Sequence, residues 1–179
     1  MASESFQKAI ETLTSLFGPP SQTTLGAAVF TSTATLPAQA LSPAQVSTHE
    51  KPSGACDEQL EAFAKSKYEY FAGNAWNNFG PEHWIATWAR HYERREKAQA
   101  DILEELAEIQ EPATNLAASQ ITENHDQPDA ARAALQEVFN ADEIHTLHLY
   151  QIGDTEATTG VLIAAATADL YIALVFMMD

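Results

Sequence analysis

The sequence predicts an α+β fold in which a C-terminal antiparallel β-meander packs between helices, an α/β/α sandwich. Two observations lead there. Apolar residues recur at helical spacing through much of the first 140 positions, and after Asn140 the period changes from 3.6 to 2, with three strand-like runs separated only by "GDTE" and "TAD". The second and third runs are also apolar on both faces: Val161, Ile163 and Ala165 alternate with Leu162, Ala164 and Ala166, and Ile172, Leu174 and Phe176 alternate with Tyr171, Val175 and Met177. Such strands need cover on both sides, from helices or from a second subunit, which leaves room for a homodimer.

In chain order, Phe6, Ile10, Leu13 and Phe17 form one stripe of an amphipathic helix of about 14 residues, stopped by Gly18-Pro19-Pro20. β-branched residues around Val29 and Phe30 suggest a short strand near 24–31. From Ser32 to Cys56 the composition is Ala, Ser, Thr, Gln and Pro, that of a long loop or linker. The chain therefore divides into residues 1–56, with a helix, a short strand and a flexible linker, and an acidic α+β domain, 57–179.

Asp57 is placed to cap a second helix, with Leu60, Phe63, Tyr70 and Phe71 on its apolar side and a break at 73–80. Pro81 suits the first turn of a third. There Trp84, Trp88, Tyr92, Ala98, Ile102, Leu106 and Ile109 recur near the helical period, predicting one long helix to Gln110 with a solvated middle, "HYERREKAQA". Pro112 ends it, "TNLAASQITENHDQ" reads as a loop with at most one turn, and Asp126 with Pro128 starts a helix that turns Leu135, Val138 and Phe139 inward. The strands "EIHTLHLYQIG", "TTGVLIAAAT" and "DLYIALVFMM" complete the chain. A membrane span over 160–178 is disfavoured, because Asp169 would sit at the bilayer centre at about 2.5–3.5 kcal/mol and no Lys or Arg flanks it.

The net charge of −16 is concentrated. Residues 1–56 and 57–97 each sum to −1, whereas 98–179 holds fifteen acids against the single base Arg132. A field of one sign repels nucleic acid and acidic membrane surfaces and speeds encounter with basic proteins. The N-terminus lacks a basic region and a continuous apolar run, so a cytoplasmic protein is expected.

Motifs for chemistry are sparse. Cys56 is the only cysteine, which excludes an intramolecular disulfide. His145 and His148 point to opposite faces of one strand, and His83 and His91 are too far apart on a helix to share an ion, so no metal or cofactor is expected. "GDTEATTG" reads as a turn and not as a calcium loop. Trp76, Trp84, Trp88 and Tyr92 at helical spacing read as core. The candidate partner-binding residues are acidic: Asp101, Glu104, Glu105 and Glu108 on the long helix, with Glu111 beside them, and Asp154, Glu156 and Asp179 in the meander.

The runs "LYQIGD", "VLIAAAT" and "LYIALVFMMD", with "PEHW" and "LTSLFGPPSQ" earlier, resemble the nuclease A inhibitor family. That resemblance implies a small acidic α/β/α sandwich that plugs the active site of a non-specific nuclease. Where the family ends on Glu-Thr this chain has Met178-Asp179, and where the family carries Ser-Glu after the first helix it has Pro19-Pro20-Ser21. Both departures touch residues the family uses to reach the nuclease metal, so only Asp154 and Asp179 map.

The expected function is thus a non-enzymatic protein-binding protein of the inhibitor or immunity kind, engaging a basic partner such as a nuclease or toxin. The alternatives are a small enzyme or ligand-binding domain using carboxylates or His148 and Tyr150, and an interaction subunit of a larger assembly.

Overall fold

The computed structural model describes residues 3–34, 53–73, 88–94, 101–153 and 158–179, the side chains of 53–56 excepted. Trp76, Pro81, His83, Trp84, Asp154, Glu156 and most of the expected linker lie outside the described residues. The α+β class and the sandwich are as the sequence predicts. Helix α1 (Glu4–Phe17) is capped by the Ser3 side chain at the Phe6 N–H and leaves through Gly18, whose φ of 94° admits glycine readily. Strand β1 (Gly26–Thr33) follows, then α2 (Ser53–Ala72), β2 (Ala89–Arg94), α3 (Ile102–Ala107), α4 (Pro112–Thr122), α5 (Pro128–Phe139), and the meander β3 (Thr146–Gly153), β4 (Thr159–Ala166) and β5 (Leu170–Met178).

The five strands form one antiparallel sheet in the order β1-β5-β4-β3-β2. Alternation along the meander divides the core in two. One face turns Leu147, Leu149, Val161, Ile163, Ile172 and Leu174 toward α1, α3, α4 and α5, through Leu13, Phe17, Leu106, Ile121, Leu135 and Phe139. The other turns Tyr150, Ile152, Leu162, Ala164, Val175 and Met177 toward α2, through Leu60, Ala64, Tyr68 and Phe71. Helices of the same chain thus cover both apolar faces. No helix among the described residues is long and apolar enough to cross a membrane.

Several expectations are corrected. β1 pairs along its full length with β5, and α1 shares a core with α5, so residues 4–33 belong to the same sheet and core as the rest; the boundary at 56 separates no second core. α2 begins at Ser53, before Asp57, and on it Tyr68 is buried while Tyr70 is exposed. The long helix to Gln110 does not form: strand β2 occupies 89–94, and α3 is a separate helix. Trp88 and Tyr92, four apart, would share one face of a helix, but here the bulge in β2 sends them to opposite faces of the sheet, so each is half-buried against a different core. Pro112 does not end a helix but opens α4 at its first turn, where the Glu111 carboxylate accepts from the N–H groups of Ala113 and Thr114. Ala117, Ala118 and Ile121 then give α4 a buried stripe in the stretch expected to be a loop.

Candidate functional site

A β-bulge builds the most unusual polar cluster of the described residues. Along β2 the register with β3 shifts between Arg90 and Tyr92: Arg90 pairs with Tyr150 and Glu93 with His148. Without the extra residue, positions 90 and 93 would point to opposite faces; with it, both carry their side chains to the α2 side, while Tyr92 and Arg94 turn to the other face. His91, the extra residue, stays exposed and bonds Gln151 at 3.0 Å. Asp57 and Glu61, one turn apart on α2, meet this surface from above.

His148 lies at the centre with no exposed surface. Its Nδ1 is 2.9 Å from the Tyr150 hydroxyl, and its Nε2 has no hydrogen-bond partner among the described residues. Asp57 Oδ1 is 3.8 Å from Nε2, beyond hydrogen-bond length, and one ligand atom each from Asp57, Glu93 and His148 lies within 4.8 Å of the others. Arg90 stands beside them, 3.8 Å from Glu61 and 3.9 Å from Glu93. Trp88 closes the side of the cluster, stacked on Tyr150 with centroids 4.3 Å apart and donating from Nε1 to Glu61 at 3.3 Å.

Burial, and then the Arg90 guanidinium, hold the His148 imidazole below its ordinary value against the opposing carboxylates of Asp57, Glu93 and Glu61. Burial first, and then the Glu61 carboxylate, push the Tyr150 phenol well above its own. The unfolded chain protonates His148 near pH 6.5 and the folded chain only lower, so folding loses stability as pH falls below about 6.5 until the folded histidine also titrates. Denaturant unfolding at pH 7.5 and 5.5 should therefore show a drop that is smaller in His148→Gln. An equal drop in the two proteins would exclude His148 as a source.

The residues expected to bind a partner are dispersed. Glu105 is buried and receives the Arg94 guanidinium, so it is unavailable to a partner. Asp101 caps α3 at the Leu103 N–H and bonds Gln136. Glu104 and Glu108 are exposed. Register places Arg94 level with Leu147, Ala165 and Ile172, whereas Asp179 follows β5 at its far end, roughly 23 Å further along the strand. Gly153 and Thr159, which flank 154–157, pair at that same far end, Thr159 opposite Met178.

The acidic residues of the helical segment nonetheless share a layer. α3, α4 and α5 cover one face of the sheet, and residues 101–145 contain eleven acids against Arg132, a net of −10. Among them Glu104, Glu108, Glu123, Asp126, Asp129, Glu137 and Asp142 are exposed. Residues 53–73, which carry α2 on the opposite face, hold four acids against Lys65 and Lys67, a net of −2.

The sequence marked His148 and Tyr150 as candidate functional residues, but Asp57 read only as a helix cap, and Glu93 and Arg90 carried no functional signal. The only local signal for the last two was a polar run that looked like a solvated helix. Among the described residues, the fold and these sites define an α/β/α sandwich with a five-stranded antiparallel sheet, one acidic helical layer and a polar cluster beneath the other. No family model matches the chain, and neither a curated protein nor a solved structure matches it.

Proposed function

We propose that this chain is a non-enzymatic, acidic protein-binding protein of the inhibitor or immunity kind, which engages a basic protein through the outer surface of α3, α4 and α5. One observation carries the reading: Glu104, Glu108, Glu123, Asp126, Asp129, Glu137 and Asp142 are all exposed on one layer of the sandwich with Arg132 as the only base between residues 101 and 145, while the opposite helix sets Lys65 and Lys67 against its four acids. Such a surface guides a basic partner during encounter and repels nucleic acid. The resemblance of the meander to nuclease inhibitors makes a basic nuclease the first partner to try.

Low-salt affinity capture followed by kinetics on the recovered partner tests this. Association should slow by roughly tenfold or more between 50 and 300 mM salt. Glu104→Gln with Glu108→Gln should slow it a further few-fold while leaving dissociation nearly unchanged. A partner whose association ignores both salt and these substitutions would refute the reading, as would the absence of any basic partner.

A further inference from the structure

We propose that Asp57, Glu93 and His148 form a binding site for a divalent first-row transition-metal ion, with the imidazole Nε2 and one oxygen from each carboxylate as ligands. The site lies under α2, on the face opposite the acidic layer, and is independent of the partner-binding reading.

The strongest observation is the unpartnered nitrogen. His148 is fully buried, yet Nε2 has no hydrogen bond among the described residues; it lies 3.8 Å from Asp57 Oδ1, and one ligand atom each from His148, Asp57 and Glu93 lies within 4.8 Å of the others. A buried polar atom without a partner is costly, and native proteins leave few of them. If Nε2 carries a lone pair, it meets carboxylate oxygens that can only accept; if it carries a proton, the Asp57 oxygen at 3.8 Å is too far to receive it well. A cation among the three residues supplies the partner that Nε2 lacks.

The other ring nitrogen is already oriented for this. Nδ1 lies 2.9 Å from the Tyr150 hydroxyl, so an Nδ1–H donated to that oxygen leaves the Nε2 lone pair aimed at the ion. Metal-bound histidines are commonly held this way by their second nitrogen. Tyr150 is in turn fixed by stacking on Trp88, making it a positioning residue for the ligand.

Geometry and ligand type narrow the ion. Ligand atoms at ~2.0–2.2 Å from a tetrahedral ion stand roughly 3.3–3.6 Å apart, so the observed spacing needs a closure of about 1 Å. Asp57 and Glu93, 25% and 16% exposed, reach the site from α2 and β2 while His148 is fully buried, so the closure falls to the two carboxylate side chains. One imidazole with two carboxylates suits zinc or manganese better than magnesium or calcium, which prefer oxygen alone. Three protein ligands also leave a coordination position for water or an exogenous ligand. Arg90 beside Glu93 opposes the ion electrostatically, and its removal should favour binding.

The test is calorimetric titration of the chelator-treated full chain with Zn2+, Mn2+ and Mg2+, together with thermal unfolding and nitrogen NMR of the imidazole. One equivalent of Zn2+ should bind, much more tightly than Mg2+, and should raise the Tm. Because losing an outer partner of a ligand already weakens metal sites by ~10–100-fold, Asp57→Asn and His148→Gln should each cost at least that much. The partly exposed Asp57→Asn should keep the metal-free Tm and lose the zinc-induced rise. Arg90→Gln should tighten binding by roughly three- to tenfold at low salt, and Tyr150→Phe should weaken it. NMR should show Nδ1 protonated and Nε2 carrying the ion. Zinc affinity unchanged in Asp57→Asn and His148→Gln, as adventitious binding to exposed histidines would give, overturns the proposal; so does an Nε2 that remains protonated when zinc is bound.

Discussion

Replacing Arg94 with Met should lower the free energy of unfolding by about 3–5 kcal/mol, among the largest effects of a single substitution in this chain. Arg94 and Glu105 are each only 6% exposed. The guanidinium donates from Nε to Glu105 Oε1 at 2.6 Å, from Nη2 to Glu105 Oε2, and from Nη1 to the Phe139 carbonyl at the end of α5. Tyr92 donates its hydroxyl to the same carboxylate at 2.9 Å. One ion pair therefore ties the edge strand β2 to α3 and to α5.

Methionine fills much of the volume but leaves a buried carboxylate facing apolar neighbours with, among the described residues, the Tyr92 hydroxyl as its remaining donor. The cost comes from that uncompensated charge and not from the net worth of the pair, because two charges withdrawn from water repay little of their desolvation. The double variant Arg94→Met/Glu105→Leu should consequently recover most of the loss. Equilibrium urea unfolding of both singles and the double closes a mutant cycle; a double variant as unstable as the sum of the singles would show that the pair is not coupled as described.

The pair also shows where the sequence was and was not legible. β4 and β5 could be read directly because residues apolar at both parities admit little except a buried strand, and both faces are in fact covered. β2 was illegible because its inward Arg94 is charged and acceptable in the core only beside Glu105, a contact that no local pattern announces. Glu105 was misplaced on an exposed acidic face for the same reason. On α2, Leu60 and Phe71 are buried and Phe63 packs against the same core as the sequence suggests, but Tyr68 and not Tyr70 completes the stripe, because positions 60, 64, 68 and 71 share one helical face and 70 falls off it.

The cluster around His148 was harder still. Its members come from α2, β2 and β3, and a bulge changes the parity that places Arg90 and Glu93 on one face. Period-2 reasoning would separate those two residues even if the strand had been recognised. His148 itself carried a signal, a histidine inside an apolar strand, but a buried histidine is informative only once its ring partners are known.

Gly153→Ala should destabilise by about 2–5 kcal/mol, whereas Gly73→Ala should cost only about 1–2 kcal/mol, although both glycines have positive φ. Gly73, at φ 51°, sits in the ordinary left-handed well, and an added Cβ would come no closer than 3.5 Å to its surroundings. Alanine there meets the intrinsic left-handed penalty and little else. Gly153 has φ 102°, and its Cβ would stand 2.5 Å from the Thr158 carbonyl oxygen and 2.8 Å from the Thr159 Cα. Those atoms are backbone at the start of β4, so no side chain can rotate away. Relief requires the β3 and β4 ends to separate, and the Gly153 N–H would then be pulled from the buried Tyr68 hydroxyl that it reaches at 2.9 Å. The penalty thus combines conformational strain, displaced strand backbone and a weakened buried hydrogen bond. Equal losses in the two variants would mean that positive φ alone, and not the approach of β4, is the reason for glycine at 153.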